Sequence, residues 1–344
     1  MKISICIPQY NRINYLLNSL ERISHQNYDN IEIVISDDCS IDDTESQINK
    51  IKLFYKFPIV YQKNSVNKGY DFNYRNCISL ASGDYAIVIG NDDSIFGNNS
   101  ISFLVNFLIK NDYPDIGYCN MIEESSGGTL INRALTTKII GTGVDIALKN
   151  YSCFSFVGGL IYKKATFDKY NTSVYDGSIY AQMYLGVFMI NSGAKLFSIN
   201  EPLVLKDIVL SNEHRNSYKD TIAKKWKDYK VVDGGLPSVI NVLISALKDS
   251  NQLNQKRVYS IYKRIYSITY PHWILDYKQN GALPEAFGLS VGMYPLKTKN
   301  FHLLSLISRI KILILYYILT LFSLLFPVFI YIKIKQNIYS LLKK

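Results

Sequence analysis

The chain has 344 residues, and its 48% hydrophobic and 19% charged content is that of a globular protein with a full core, not of a disordered chain. Its net charge of +10 raises the question of nucleic acid, but no acidic residue follows Glu285, while Lys297, Lys299, Arg309, Lys311, Lys333, Lys335, Lys343 and Lys344 all do. A basic tail threaded with apolar runs suits an anionic membrane surface better than a phosphate backbone, so no nucleic-acid partner is expected. The cysteines Cys6, Cys39, Cys77, Cys119 and Cys153 are widely spaced and form no CxxC pair. This argues against a zinc knuckle or a disulfide framework and fits a reducing compartment.

The opening MKISICIP runs directly into a strand pattern, too short and too soon polar for a signal peptide, so the folded body is expected in the cytoplasm. Residues 2–7, 31–36, 59–62, 85–90 and 116–120 read as strands rich in Ile and Val. Helical patterns lie between them at 13–24, 42–52, 70–81 and 98–110. That alternation predicts an α/β fold with a mostly parallel sheet and helices on both faces. Ligands of such sheets gather at the carboxyl ends of the strands, where the polar clusters 8–12, 37–40 and 91–93 fall.

Beyond residue 121 the alternation stops. A turn is expected at 125–128, a helix at 178–191 and a short strand at 195–199. Residues 217–280 read as mainly helical, and Tyr259, Tyr262, Tyr266 and Tyr270 recur at helical spacing, which predicts a packed face. Residues 312–332 carry no charge, and a helix of that length would reach roughly 30 Å, about one hydrocarbon core. Positive residues flank it on both sides, so the positive-inside rule gives no orientation. Pro327 could break it into a hairpin. The organisation expected is therefore 1–120, 121–215, a helical region 216–300 and a membrane-associated helix or hairpin 301–344.

Two acidic clusters carry the chemistry. In IEIVISDDCSIDDT an apolar strand ends in Asp37 and Asp38; helix capping explains one such acid, not two. A carboxylate there can accept a hydrogen bond from a pyrimidine ring N–H. In GDYAIVIGNDD a second strand delivers Asn91, Asp92 and Asp93 to the same sheet edge. Adjacent carboxylates raise each other's pKa, a cost that a divalent cation removes. Magnesium or manganese is the expected ion, with a donor diphosphate on it.

ICIPQYNR, ISDDCSIDDT, NKGYDFNYRN and GDYAIVIGNDD, in this order, resemble the nucleotide-binding half of GT-A fold, family 2 inverting glycosyltransferases. The likeness covers residues 1–120 and is nearest to bacterial enzymes of O-antigen, capsule and related surface polysaccharide, abequosyltransferase-like members included. It implies a metal-dependent transfer from a nucleotide diphosphate sugar to a glycan or polyprenyl-linked acceptor, at the cytoplasmic face of the bacterial inner membrane. Residues 121–215 would form the acceptor half.

It also implies that Pro8, Tyr10 and Arg12 line the nucleotide site, with Asp38 on the pyrimidine. Asn67, Gly69 and Arg75 would flank the nucleotide, although the Gly69–Arg75 gap is longer than usual. Asp93 would be the metal ligand and Asp92 would face ribose or sugar. His214 would complete the metal shell and Arg215 would pair with diphosphate.

One departure matters. Counting back from Gly193 to the family's Glu-Asp base lands on Ala181 and Gln182, neither of which can accept a proton. The nearest carboxylate, Asp176, becomes the candidate base, with Asp145 and Asp207 behind it. Two rival readings stand: a non-catalytic nucleotide-sugar-binding paralogue acting as an assembly partner, and a nucleotidyltransferase. The second normally needs a glycine-rich loop after the first strand, and PQYNR has no glycine.

Overall fold

The computed structural model describes residues 1–210 and 235–342, with side chains to residue 335. They fall into two compact units, bounded as Met1–Ser217 and Tyr218–Lys344. His214 and Arg215 lie outside the described residues.

In the first unit the strands are β1 (Ile3–Gln9), β2 (Ile31–Asp37), β3 (Ile59–Lys63), β4 (Tyr85–Val88), β5 (Ser94–Ile95), β6 (Ile116–Glu123), β7 (Thr129–Ile131), β8 (Lys138–Gly141), β9 (Leu160–Lys163) and β10 (Leu196–Lys206). The helices are α1 (Ile13–Ser24), α2 (Thr44–Ile51), α3 (Tyr70–Leu80), α4 (Ser100–Lys110), α5 (Val144–Asn150), α6 (Lys164–Tyr170) and α7 (Ala181–Asn191). The strands form one sheet in the order β3-β2-β1-β4-β9-β6-β10-β5, with β7 beside β6 and β8 beside β10. β1, β2, β3, β4, β6 and β10 point one way and β5, β7, β8 and β9 the other. The sheet is thus mostly parallel in direction, as the alternating sequence predicts.

Two departures from the sequence reading bear on the site. β9 inserts antiparallel between β4 and β6, so the strand that follows α4 does not pair with its predecessor. The last strand does not stop at residue 199. It passes Asn200-Glu201-Pro202 through a register shift against β6 and runs on to Lys206. That extension carries Asp207 to the carboxyl edge of the sheet.

The central strands β1, β2 and β4 are buried on both faces, which is why they read as Ile/Val runs and not as alternations. Leu16, Leu20 and Ile23 of α1 and Ile101, Leu104 and Leu108 of α4 pack into the same core as Ile5, Ile33 and Ile87. At the amino ends of β1, β2 and β4, the buried Glu32 carboxylate accepts from Ser4 Oγ (2.6 Å), Ser82 N (2.6 Å), Ser82 Oγ (2.7 Å) and Gly83 N (3.1 Å). Lys2 Nζ lies 2.6 Å away.

In the second unit α8 (Leu236–Asp249), α9 (Gln255–Arg264), α10 (Tyr270–Gln279), α11 (Leu283–Gly292), α12 (Leu306–Leu325) and α13 (Val328–Leu342) follow one another. Pro327 separates the last two, as its missing N–H and fixed φ dictate. Tyr262, Tyr266 and Tyr270 are fully buried, so the tyrosine spacing marks a packed face.

Burial alone would raise the Glu32 pKa, but its bonds from Lys2, Ser4 and Ser82 hold it at about 2 against an ordinary 4.5. The stability it contributes is complete above pH 4.5 and lost as pH falls towards 2. Glu32→Gln should therefore cost about 2 kcal/mol at neutral pH and flatten the acid limb of the stability profile, read by chemical denaturation at a series of pH values.

Candidate active site

The loops after β1, β2 and β4 are laced together at the carboxyl edge. Gln9 O accepts from Asp38 N (2.9 Å) and from Asn73 Nδ2 (3.0 Å), and Asn91 Nδ2 donates to Tyr10 O (3.2 Å). Asn11 and Arg12 both hold left-handed backbone, φ 55° and 61°. Such strain in consecutive non-glycine residues needs support. It comes from Ser40 Oγ, which accepts from Asn11 N (2.8 Å), and from Asp42, which accepts from Ile13 N (3.0 Å). The turn aims Arg12 across the edge, where Nη1 lies 2.7 Å from Asp92 Oδ2.

Asp92, Asp93 and Asp207 each offer a carboxylate oxygen within 4.8 Å of the others. Asp93 is buried and is held by two backbone donors, Gly90 N on Oδ2 and Asp207 N on Oδ1, both at 3.0 Å. The backbone makes room for it. A Cβ on Gly90 would stand 2.9 Å from Asp93 Oδ2 and 3.0 Å from Asp92 Oδ1, and one on Gly158 would stand 2.9 Å from Asp93 Oδ2. Burial, then the charge of Asp92, pushes the Asp93 carboxyl up to about 7. Burial also raises Asp207, against the pull of Lys206. Lys206 Nζ pairs with Asp207 and, at 2.8 Å, with Glu123 Oε1. An all-oxygen, partly desolvated and mutually repelling set of this kind fits a hard divalent cation.

Asp38 sits on the same edge, 3% exposed. Its carboxylate accepts from Asn64 Nδ2 (3.0 Å), Lys68 N (2.8 Å) and Gly69 N (2.8 Å). These bonds shape the 64–69 loop and fill three of the roughly four lone-pair positions of a carboxylate. Asn67 Oδ1 also accepts from Gly69 N (3.0 Å), and Gly69, at φ 87°, opens α3. Tyr10 is 46% exposed beside this loop system, and Pro8 is half-buried on β1. Asp37, fully buried, accepts from Ser40 N (2.8 Å) and Tyr61 Oη (2.6 Å) and so braces the turn.

Arg75 and Asp176 form a bidentate pair, Nε to Oδ1 at 2.7 Å and Nη2 to Oδ2. Arg75 Nη1 also reaches Asn171 Oδ1 at 3.0 Å. One turn earlier on α3, the buried Asp71 accepts from Ile179 N (2.7 Å) and Ala181 N (3.2 Å), so it caps the approach to α7. Burial raises its pKa. Gln182, one of the two positions reached by counting back from Gly193, is buried, and its Oε1 has no partner among the described residues.

The structure thus brings Arg12, Asp92 and Asp93 together, Asp38 with Gly69, and Arg75 with Asp176, around the hub of residues 9–12. Sequence reasoning did not see Asp207 beside Asp93, nor the space Gly158 leaves. Asp145 lies in the first turn of α5. The i,i+4 spacing of Asp71 and Arg75 on one face of α3 was the available signal for the pair of bonds into 171–181.

The chain matches the model of glycosyl transferase family 2 over residues 4–172. It is 34% identical over 223 residues to abequosyltransferase RfbV of Salmonella typhimurium, covering 60% of this chain and 66% of that one. It is 30% identical over 231 residues to UDP-Glc:alpha-D-GlcNAc-diphosphoundecaprenol beta-1,3-glucosyltransferase WfaP of Escherichia coli, covering 62% of this chain and 89% of that one. Among solved structures, S. aureus TarS 1-349 in complex with UDP superposes with a TM-score of 0.61 at 16% identity, covering 94% of this chain and 91% of that fragment. At that identity the likeness bears on the fold.

Because Asp93 holds a proton up to about pH 7, a cation must displace it below that pH. Apparent Mn2+ affinity, read by calorimetry, should fall about tenfold per pH unit below 7 and level off above it. Asp93→Ala should remove both the binding and its pH dependence.

Proposed function

This chain belongs to glycosyltransferase family 2 and is a glycosyltransferase; we propose that it moves a sugar from a nucleotide diphosphate donor to a lipid-linked glycan during assembly of a bacterial surface polysaccharide such as O-antigen or capsule. The observation that carries the proposal is the trio Asp92, Asp93 and Asp207 on the same sheet edge as the Asp38-held loop. In this reading the trio would hold the cation and the Asp38-held loop the base, the two things a nucleoside diphosphate needs on one sheet edge.

Asp92, Asp93 and Asp207 would hold Mg2+ or Mn2+, with His214 as a further ligand on sequence grounds. Bound there, the ion supplies charge neutralisation for the departing diphosphate. Pro8, Tyr10 and Asn67 would line the base, and the remaining acceptor position of Asp38 would take the pyrimidine N–H. Arg12, beside Asp92, and Arg215 would face phosphate.

The reaction assigned is a single displacement with inversion. The acceptor hydroxyl oxygen forms a bond to the anomeric carbon, the bond from that carbon to the diphosphate oxygen breaks, and the hydroxyl proton passes to Asp176. Arg75 orients that carboxylate as the third member of a base constellation does. The printed name of WfaP, with its diphosphoundecaprenol-linked acceptor, supports a lipid-linked substrate here and hence work at the cytoplasmic face of the inner membrane.

Hydrolysis or transfer of nucleotide sugars by the purified chain should fall at least about 100-fold in Asp93→Ala. It should be retained in Asp249→Ala, an exposed acid of the other unit. Asp176→Asn should lower kcat about 100-fold with little change in KM for the donor. Full activity in Asp176→Asn would remove the base assignment, and full activity in Asp93→Ala would remove the metal site.

A further inference from the structure

The helix α12 is built inside out for a water-soluble protein. Two of its small polar side chains face inward: Ser323 is fully buried, and Thr320 Oγ1 lies 2.6 Å from Tyr270 Oη on α10. Tyr316 Oη donates to Ser290 O on α11 at 2.8 Å. Lys278 Nζ closes the helix end by donating to the carbonyls of Ser323 (2.9 Å), Leu324 (2.7 Å) and Phe326 (2.7 Å).

The opposite face carries Ile307, Ile310, Ile314, Ile318, Leu321 and Leu325, each between 49% and 73% exposed. Their spacing of three and four residues makes one stripe along the whole helix. Phe329 and Ile332 on α13 and Phe287 and Val291 on α11 are more than half exposed as well. A soluble surface does not spend its isoleucines this way.

Charge identifies what covers the stripe. Lys311 within α12, and Lys297, Lys299 and Lys333 before and after it in the sequence, are exposed, and the sequence has no acid beyond Glu285. Apolar centre and cationic rim complement an anionic bilayer surface. The packing also opposes a transverse span. α12 rests on α10, which carries Lys278 and Asp276, and Asp276 is paired with Lys335 at 2.7 Å and with His272 at 3.3 Å. Standing α12 across the membrane would drag these ionisable groups to hydrocarbon depth.

We propose that α12 is a monotopic docking face: it lies in the plane of the membrane, its outward stripe in the acyl boundary and the bordering lysines among anionic headgroups. The inference rests on the reading of the chain as a membrane-working transferase and adds the mode of attachment.

Two experiments on the full chain test it. In flotation, the parent should rise with phosphatidylethanolamine–phosphatidylglycerol vesicles, and Ile314→Glu/Ile318→Glu should bind at least tenfold less with an unchanged Tm. Equal flotation of the double variant would overturn the proposal. So would a parent that dimerises through the stripe in solution and ignores vesicles. In inverted membrane vesicles from expressing cells, Lys299→Cys and Lys333→Cys should both react with an impermeant maleimide. Reaction of one of them only after permeabilisation would show a span and overturn the planar mode. Nucleotide-dependent stabilisation of the same preparations reads the donor site separately, so failure of one reading does not pass for failure of the other.

Discussion

Repulsion among the carboxylates of Asp92, Asp93 and Asp207 is the constraint around which the catalytic unit is arranged. Three acids within 4.8 Å of one another are unstable company in a partly buried site. The chain meets the cost locally, with backbone N–H groups from Gly90 and Asp207 on Asp93, Arg12 on Asp92 and Lys206 on Asp207. It also keeps Gly90 and Gly158 without side chains where a methyl would press on the carboxylates. Arg12 reaches Asp92 only because two successive residues accept left-handed backbone, and the β2 loop exists in its present form partly to hold that turn. Under the proposed function, what the acids do not relieve among themselves a bound cation would relieve.

The same arrangement explains which parts could be read from the chain. Local signals sufficed for most elements of the first 120 residues, the two-residue β5 excepted: the fully buried parallel strands β1, β2 and β4 appear as Ile/Val runs, and α1 has the bounds its apolar period predicts. Asp38 and Asp93 fall on one edge because the loops that carry them follow β2 and β4, strands of like direction. β9 was not legible. It has four residues, its place between β4 and β6 depends on pairing with strands far away in sequence, and its entry is made by Gly158 and Gly159. Asp207 escaped for a related reason. Asn200-Glu201-Pro202 reads as a strand end, yet the structure absorbs it as a register shift and continues to Lys206. The acid that completes the trio is therefore delivered by a non-local device.

The candidate base shows the limit from the other side. The sequence locates Gln182 where a carboxylate is expected and offers Asp176 instead. The structure adds that Asp176 is gripped by Arg75, while Asp71 caps the segment that leads to α7. The region that would receive the acceptor is therefore pinned to α3 by two acids, and α3 is bonded to the β1 end through Asn73. In the C-terminal unit, composition raises the expectation of membrane contact but gives no geometry for it, since only packing reveals that Thr320 and Ser323 turn inward while Ile314 and Ile318 turn out.

A crystal of the chain soaked with Mn2+ and a pyrimidine nucleoside diphosphate gives the most direct test of this account. Anomalous density between Asp92, Asp93 and Asp207, with the diphosphate on the ion and the base beside Asp38, is the predicted result. Nucleotide bound with the ion elsewhere, or no ion among the three carboxylates at pH 8, would contradict it.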